Sequence, residues 1–314
     1  MAGNRGFALI LTPDTEETEA PATPTPQPPE SDTAQAPYVI IVVEDGARYA
    51  DTFGDPNYAN VPYMWNYLRP QGTLLTNFYN QGLALTDPGH ASLVTGTDQH
   101  IDNSGILRPD KPTIFEYHRR HDGVGPGDVW VVSGKTKLGI LSHSQGEDNL
   151  GATADTFDGE DDQVWQEVQR VMDKQQPSII VINFPSTDKR GHEGDWDGYL
   201  GAIRNFDRIA NELWNKIQSS SHYRNKTTLI ITNDHGRSDR DWRVHGDDTE
   251  GSHRIMLLAL GPKIREGYIS DRERSLIDVV PTIERLIGCP MPDAQGQVME
   301  EVLVNRVPAG LLLP

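Results

Sequence analysis

The stretch TLIITNDHG, residues 228–236, joins two signals that decide the fold of this chain. Its first five residues are β-branched or aliphatic, as in a buried strand, and an acid and a histidine follow at once. The same combination recurs where residues 38–43 lead into Asp45 and where residues 178–184 lead into Asp188. Strands that are almost wholly apolar are typical of a parallel sheet that is buried on both faces.

Helical patterns separate these strands. In residues 196–217 the apolar side chains recur at steps of three and four, which predicts an amphipathic helix. The remaining expected elements are helices at 61–68, 112–120, 163–174 and 276–287, strands at 73–78, 129–132 and 255–260, and a Gly- and Asp-rich loop over the site at 142–161. Alternating strands and helices predict an α/β fold with a mainly parallel sheet and helices on both faces.

The polar residues that follow the strands should converge. In open α/β sheets, ligands gather beyond the carboxyl ends of the strands. Asp45, Asp188, Asp234 and His235 stand at or just past such ends. Carboxylates and neutral imidazoles are ligands that suit Zn²⁺ or Mn²⁺. The sequence therefore predicts a divalent metal site at one edge of the sheet.

The segment TDPGHASLVTG, residues 86–96, predicts a short helix close to that edge. Pro88 fits the first turn, where its missing N–H costs nothing, and Gly96 is a suitable stop. Thr86 then stands just before a helix N-terminus, which favours an anion. A hydroxyl there suits attack on phosphate or sulfate, although the segment taken alone also fits an ordinary capped helix.

Charge and cysteine content exclude several classes of protein. The 314-residue chain has a net charge of -18, which argues against nucleic acid or an anionic membrane as its main partner. Cys289 is the single cysteine, so we expect neither an intrachain disulfide framework nor any Cys-based metal site. We interpret Cys289 as a small apolar filler at a helix end.

Residues 1–36 differ in composition from the rest. Residues 13–37 are rich in Pro, Thr, Glu and Ala and contain no basic residue, which predicts disorder. The apolar cluster at 7–11 is too short for a membrane span and weak as a signal-peptide core. We expect a disordered segment at 1–36, a catalytic domain at 37–314, no transmembrane segment, and a periplasmic or secreted location.

Five motifs in order resemble the alkaline phosphatase superfamily, in particular its nucleotide pyrophosphatase/phosphodiesterase-like and Thr-dependent phosphatase branch. They are Asp45-Gly46-Ala47-Arg48, Thr86-Asp87-Pro88-Gly89-His90, Asp188-x-x-x-His192, Asp234-His235-Gly236 and His245-Gly246-Asp247. Each motif alone is common, but five in order, four of them at strand ends, are specific. The resemblance implies an alkaline-phosphatase-like fold and two divalent cations, Zn²⁺ or Mn²⁺.

The resemblance also implies the ligands and the nucleophile. One cation would be held by Asp188, His192 and His245. The other would be held by Asp45, Asp234 and His235, with the Thr86 hydroxyl as nucleophile and further ligand. We choose His245 over His253 because His245-Gly246 matches the His-Gly pair of the superfamily. The outer partners expected around these ligands are Arg190, Arg237, Asp247 and Asp248.

The substrate class follows from residues near the nucleophile. Sulfatases of this superfamily need a Cys or Ser that becomes formylglycine, and Thr86 cannot be converted. In its Thr-dependent monoesterases a Lys and an Arg two residues apart contact the phosphoryl oxygens. Lys135 and Lys137 resemble that pair, with Lys in place of Arg. Both lysines also fit a solvated turn. Asn103 is a further candidate for phosphate binding. The resemblance implies hydrolysis of a small-molecule phosphate ester through phosphothreonine, with monoesters favoured.

Other activities stay open at this point. A phosphodiesterase or nucleotide pyrophosphatase is the main alternative. A phosphomutase would call for a large inserted cap domain, and no stretch between Asp45 and Gly261 is long enough to supply one. A non-catalytic binding protein on this fold would be expected to have lost a ligand, and none of the six is missing.

Overall fold

The computed structural model describes residues 1–3, 37–146 and 148–304. Residues 37–304 fall within one compact unit, and Met1 to Gly3 are exposed. The disorder that the sequence predicts for residues 1–36 concerns a segment that lies almost wholly outside the described residues. In the part of the chain that is described, no helix combines the length and the apolar character that crossing a bilayer requires.

One sheet of nine strands forms the centre of the fold. The strands are β1 Tyr38–Glu44, β2 Gly72–Tyr79, β3 Val129–Ser133, β4 Thr153–Thr156, β5 Ile179–Phe184, β6 Thr227–Thr232, β7 Arg254–Leu260, β8 Tyr268–Ser270 and β9 Arg274–Ser275. Their order is β4-β3-β5-β1-β6-β7-β2-β8, and β9 pairs with β2. Only β7 pairs antiparallel with its neighbours, so the predicted mainly parallel sheet is confirmed.

Helices cover the sheet on both faces. They are α1 Thr86–Thr95, α2 Ile114–Asp122, α3 Asp161–Lys174, α4 Ser186–Glu193, α5 Trp196–Ser219, α6 Glu250–His253 and α7 Val279–Ile287. Alternate residues of β1 enter two separate cores: Val39 and Ile41 join side chains of α1, α2 and α7, whereas Ile40 and Val42 join side chains of α3 and α5. The continuous apolar runs of the sequence thus reflect burial on both faces.

Two predictions about local structure need correction, and a third needs refinement. Residues 142–161 are not one loop, because Thr153–Thr156 form the edge strand β4 beside β3. The expected helix at 61–68 is present from residue 62, but Met64–Leu68 have π-helical geometry. Thr86 is the first residue of α1 and not the residue before it, since Leu85 is the N-cap. Gly96 ends that helix in the left-handed conformation, as predicted.

Gly236 is expected to tolerate no side chain. A Cβ at this position would lie 2.0 Å from the backbone oxygen of Gly251, so two backbone segments would have to separate. Gly236→Ala should lower the free energy of unfolding by about 1–3 kcal/mol. The control is Gly201→Ala within α5, where a Cβ meets nothing within 4 Å. That variant should raise stability by about 0.5–1 kcal/mol. Urea unfolding measures both, and equal effects would contradict the packing described.

Candidate metal centre

The predicted metal ligands lie together at the carboxyl ends of three neighbouring strands, β5, β1 and β6. Asp45 directly follows β1, Asp188 lies in the first turn of α4 after β5, and Asp234 follows β6 by two residues. The structure brings all six predicted ligands into one region. Asp188, His192 and His245 form one group of potential ligands, and the buried residues form two overlapping groups, Asp45 with His90 and Asp234, and Asp45 with Asp188 and His235. We call Asp188, His192 and His245 the first group. We call Asp45, Asp234 and His235 the second group, because Nε2 of His235 lies 3.7 Å from Oδ1 of Asp45 and 3.4 Å from Oδ2 of Asp234.

The first group is built on α4 and on the loop that carries His245. Asp188 and His192 share a helix face at a spacing of four, with Nε2 of His192 lying 3.3 Å from Oδ1 of Asp188. Nε2 of His245 lies 3.7 Å from that oxygen and 3.2 Å from Nε2 of His192. Arg237 is fully buried and donates to Oδ1 of Asp188 at 2.6 Å, which orients the carboxylate.

The second group is more deeply buried. Asp45, Asp234 and His235 have no exposed side-chain surface. Oδ1 of Asp234 accepts hydrogen bonds from the backbone N–H groups of Gly46 and His235 at 3.1 and 2.9 Å. Oδ2 of Asp234 accepts no hydrogen bond from the described residues and lies 3.4 Å from Nε2 of His235. This oxygen is therefore available to a further ligand.

The donor set fits divalent cations. Nδ1 of His235 is within 2.9 Å of the carbonyl oxygen of Gly236, and Nδ1 of His245 is within 2.9 Å of that of Ala84. A carbonyl only accepts, so each Nδ1 carries the proton and each Nε2 turns a lone pair toward carboxylates. Burial and the nearby His235 lower the pKa of His245 to about 3, which keeps its imidazole neutral. A divalent cation between these nitrogens and the facing carboxylates would be attracted by both.

The Thr86 hydroxyl is buried against His235 and Lys135. Thr86 is only 1% exposed, and its Oγ1 lies 3.3 Å from Nε2 of His235. Nζ of Lys135 lies 3.4 Å from the same oxygen. In the first turn of α1 the backbone N–H of Asp87 donates to Asn103 and that of Gly89 donates to the carbonyl oxygen of Leu85. The Lys135 ammonium is the neighbour that favours an ionised Thr86 hydroxyl.

Lys135 is the cation that connects the two groups. Its ammonium donates to Oδ1 of Asp45 at 2.8 Å and to Oδ2 of Asp188 at 2.7 Å. Burial alone would lower the pKa of Lys135, but these carboxylates outweigh it and raise that pKa. Burial likewise opposes ionisation of Asp188, yet Lys135 and the neighbouring imidazoles hold its pKa well below the usual range. The Lys135 ammonium and the Asp188 carboxylate are therefore both charged at neutral pH.

The two other predicted phosphate-binding residues, Asn103 and Lys137, contact Asp87, the residue after Thr86. The side-chain oxygen of Asn103 accepts from the backbone N–H of Asp87 at 2.9 Å and from Nζ of Lys137 at 2.7 Å. The Lys137 ammonium lies 3.0 Å from Oδ1 of Asp87. Lys137 and Asn103 thus support the first turn of α1, whereas Lys135 contacts the Thr86 hydroxyl itself.

His90 and Asn183 hold the site together, and sequence reasoning assigned neither of them a role. Nδ1 of His90 lies 2.8 Å from the carbonyl oxygen of Thr86, and its Nε2 lies 3.1 Å from Nδ2 of Asn183. Asn183 also donates to Oδ2 of Asp45 at 2.8 Å. His90 is near enough to Asp45 and Asp234 to share a metal with them. Since both its ring nitrogens are occupied, we assign it to positioning Thr86.

A cavity of about 510 Å³ leads from the solvent to this region. Its walls include Lys135 and Asp188 at the inner end and His192, which exposes 47% of its side chain. The other residues that line it are Gly134, Asp158, Gly159, Pro185, Lys189 and Glu193. The cavity is large enough for a small ester.

Comparison with known proteins confirms the resemblance. The family described as the metalloenzyme superfamily matches residues 139–291. The chain is 23% identical over 275 residues to GPI ethanolamine phosphate transferase 3 of Schizosaccharomyces pombe, covering 81% of this chain and 28% of that protein. It is 29% identical over 224 residues to phosphopentomutase of Rhizobium leguminosarum bv. trifolii, covering 69% and 48%. The chain therefore spans less than half the length of these relatives.

Solved structures support the same fold. Murine ectonucleotide pyrophosphatase/phosphodiesterase 5 superposes with a TM-score of 0.64 at 13% identity, over 85% of this chain and 100% of that chain. The phosphonate monoester hydrolase of Silicibacter pomeroyi superposes with a TM-score of 0.62 at 12% identity, over 87% and 78%. The fold is thus α/β and alkaline-phosphatase-like, and the chain resembles a superfamily of metalloenzymes whose members bind divalent ions.

Proposed function

We propose that this protein is a two-metal hydrolase of small phosphate esters, with Thr86 as the nucleophile and monoesters as the favoured substrates. The main support is the position of the Thr86 hydroxyl: it is buried at the start of α1, 3.4 Å from the Lys135 ammonium and 3.3 Å from Nε2 of His235. Asp188, His192 and His245 would hold one cation, and Asp45, Asp234 and His235 would hold the other.

Bound divalent cations would act as Lewis acids that offset charge on the phosphoryl oxygens and favour ionised hydroxyl groups. The residues of the chain supply the nucleophile and hold it and the ligands in position. Thr86 Oγ1 loses its proton and attacks phosphorus in line with the ester oxygen; the P–O ester bond breaks, and the leaving oxygen takes up a proton and departs as the alcohol while phosphothreonine forms. Water then attacks the same phosphorus, the bond from phosphorus to Oγ1 breaks, inorganic phosphate leaves and Thr86 regains its proton. His90 holds the Thr86 backbone, and Arg237 holds Asp188 in the required orientation.

The monoester preference rests on Lys135. A phosphate monoester dianion carries one more negative oxygen than a diester, and a cation beside the nucleophile compensates for that charge. Lys135 is the ammonium group that contacts Thr86 Oγ1, whereas Lys137 binds Asp87 and Asn103. A phosphodiesterase is the alternative within the same mechanism, and it has no need of this additional charge.

Lys135→Ala is therefore expected to lower kcat/KM for an aryl phosphate by about 10²–10³-fold and for an aryl phosphodiester by at most about tenfold. Lys137→Ala is the matched control and should affect the two substrates equally. Steady-state kinetics of both variants, with metal content checked, measures the difference. An equal loss for both substrates in Lys135→Ala would contradict the monoester preference while leaving the nucleophile untested.

A substrate screen tests the reaction class. The purified chain, loaded with Zn²⁺ or Mn²⁺, is assayed on an aryl phosphate, an aryl phosphodiester and an aryl sulfate. We expect the aryl phosphate to have the highest kcat/KM and the sulfate to be hydrolysed slowest, because Thr86 cannot provide formylglycine. A preference for the diester would select the alternative activity, and a preference for the sulfate would overturn the proposal.

We also propose that residues 1–36 are a disordered spacer ahead of the catalytic domain at 37–314, outside the cytoplasm. The composition of the segment supports this assignment, since it has too few apolar residues to form a core. A chain that begins at residue 37 should keep the Tm within about 2 °C and an unchanged kcat/KM. Differential scanning fluorimetry and kinetics measure both, and a marked loss of either would show that the segment packs on the domain.

A further inference from the structure

A second cluster of metal-binding side chains lies away from the candidate metal centre, between the C-terminal end of α2 and the segment after α7. It consists of His118, Asp122 and Cys289, whose ligand atoms all lie within 4.8 Å of one another. His118 and Asp122 occupy one face of α2 at a spacing of four. Cys289 follows Gly288, the C-cap of α7, and has no exposed surface.

The hydrogen bonds of His118 direct a lone pair into this cluster. Nε2 of His118 lies 2.8 Å from Oγ of Ser178, and that hydroxyl donates to the carbonyl oxygen of Asp128 at 2.9 Å. Because the proton of Ser178 is used in this way, its oxygen accepts the Nε2–H of His118. In a neutral imidazole Nδ1 is then unprotonated. A histidine that ligates a metal through one ring nitrogen usually donates the N–H of its other ring nitrogen to a nearby oxygen, as Nε2 of His118 does to Ser178.

Nδ1 of His118 faces a carboxylate. It lies 2.7 Å from Oδ2 of Asp122, the distance of an ion pair, so these two potential ligand atoms are adjacent. A metal ion that binds both atoms would take the place of any proton between them.

The charges around the cluster are of both signs. Asp122 is the last residue of α2, at the negative end of the helix dipole, while the last turn also carries Arg119, Arg120 and His121. Oδ1 of Asp122 lies 2.8 Å from Nδ1 of His121. Burial and the carboxylates of Asp122 and Glu284 raise the pKa of the Cys289 thiol to about 12. A divalent cation reverses that effect, since a coordinating thiol is deprotonated. One thiolate, one carboxylate and one imidazole would neutralise a dication.

From these contacts we infer that His118, Asp122 and Cys289 form a second, structural metal site for Zn²⁺ or a similar soft divalent ion. Binding joins Nδ1 of His118, a carboxylate oxygen of Asp122 and Sγ of Cys289 to the ion and releases the thiol proton to solvent. Tetrahedral zinc with bonds of about 2.0–2.3 Å places its ligand atoms roughly 3.3–3.8 Å apart, so small side-chain shifts suffice. Asp122 exposes 38% of its side chain and leaves an entry path.

Such a site would fasten the segment after α7 to α2. The hydroxyl of Tyr117 already joins the same two parts of the chain through the carboxylate of Asp293. An ion that binds only the folded chain adds stability by mass action. The inference is independent of the proposed hydrolysis, because none of these side chains contacts Thr86 or the six ligands in the described residues.

Co²⁺ spectroscopy tests the site. Cys289 is the only cysteine of the chain, so a thiolate-to-Co²⁺ charge-transfer band can arise nowhere else. The metal-free protein is titrated with Co²⁺ alone. We expect the band in the wild type and in Asp234→Asn, its complete loss in Cys289→Ala, and at least tenfold weaker Co²⁺ binding in His118→Gln. Added Zn²⁺ should abolish the band and raise the Tm of the wild type but not of Cys289→Ala.

The outcome is decisive even if a variant misfolds. Co²⁺ uptake by the wild type without a thiolate band, at concentrations that load the candidate metal centre, would overturn the inference. The spectra of the wild type and Asp234→Asn alone suffice for that result. If Cys289→Ala folds, as circular dichroism would establish, its hydrolytic activity should equal that of the wild type.

Discussion

Thr86→Ala should lower kcat/KM for an aryl phosphate by at least about 10³-fold, since the substitution removes the oxygen that attacks phosphorus. The loss should appear in kcat, with metal content unchanged, because Asp45, Asp234 and His235 remain in place. Thr86 is fully enclosed and its methyl group is small, so the variant should retain the wild-type fold. Steady-state kinetics and metal analysis of the same preparation measure both quantities.

Thr86→Ser is the matched control. It keeps the hydroxyl beside Lys135 and His235 but loses the methyl group that restricts its rotamer. We expect an intermediate activity, above that of Thr86→Ala by at least about tenfold. Alanine and serine variants of equal activity would show that the hydroxyl takes no part in the chemical step.

Asp234→Asn should remove metal and activity together. The substitution preserves the shape of the side chain, and Oδ1 can still accept the backbone N–H groups of Gly46 and His235. It replaces Oδ2 by an amide NH₂ group, which cannot ligate a cation. Oδ2 is the buried oxygen that accepts no hydrogen bond from the described residues. We expect metal affinity to fall by at least about 100-fold. Equilibrium dialysis with Zn²⁺ measures it.

The matched control is Asp247→Asn. Asp247 accepts hydrogen bonds from Ser238, Thr249 and Ser252 in the loop that carries His245, and it belongs to none of the ligand groups. Its substitution should lower stability and change metal affinity by less than about tenfold. If Asp234→Asn binds Zn²⁺ as tightly as this control, the assignment of the second cation is wrong.

The sheet and the position of the site could be predicted because their signals are local. Apolar runs such as 228–232 identify buried strands, and a parallel sheet places the residues after them at one edge. The reversed direction of β7 could not be predicted, because its apolar run fits either orientation equally well. The edge strand β4 was hidden for the opposite reason, since its residues are only partly buried and polar.

The contacts around the ligands depend on tertiary structure. Nothing in the sequence near His90 shows that its ring joins the Thr86 backbone to Asn183, because these residues meet only after β5 and α1 are packed. The same holds for Lys135, which was predicted to contact phosphate and is also the bridge between Asp45 and Asp188. Residue type and spacing identify candidate ligands, while the orientation of each ligand is fixed by partners distant in sequence.

Trapping the covalent intermediate tests the central claim most directly. The metal-loaded wild type is mixed with an excess of an aryl phosphate labelled in its phosphoryl group, quenched in acid within the first turnovers, digested and analysed by mass spectrometry. The proposed mechanism predicts one phosphoryl group on the peptide that contains Thr86, attached to that threonine and absent in Thr86→Ala. Multiple turnovers without label on Thr86, or label on another residue, would contradict it.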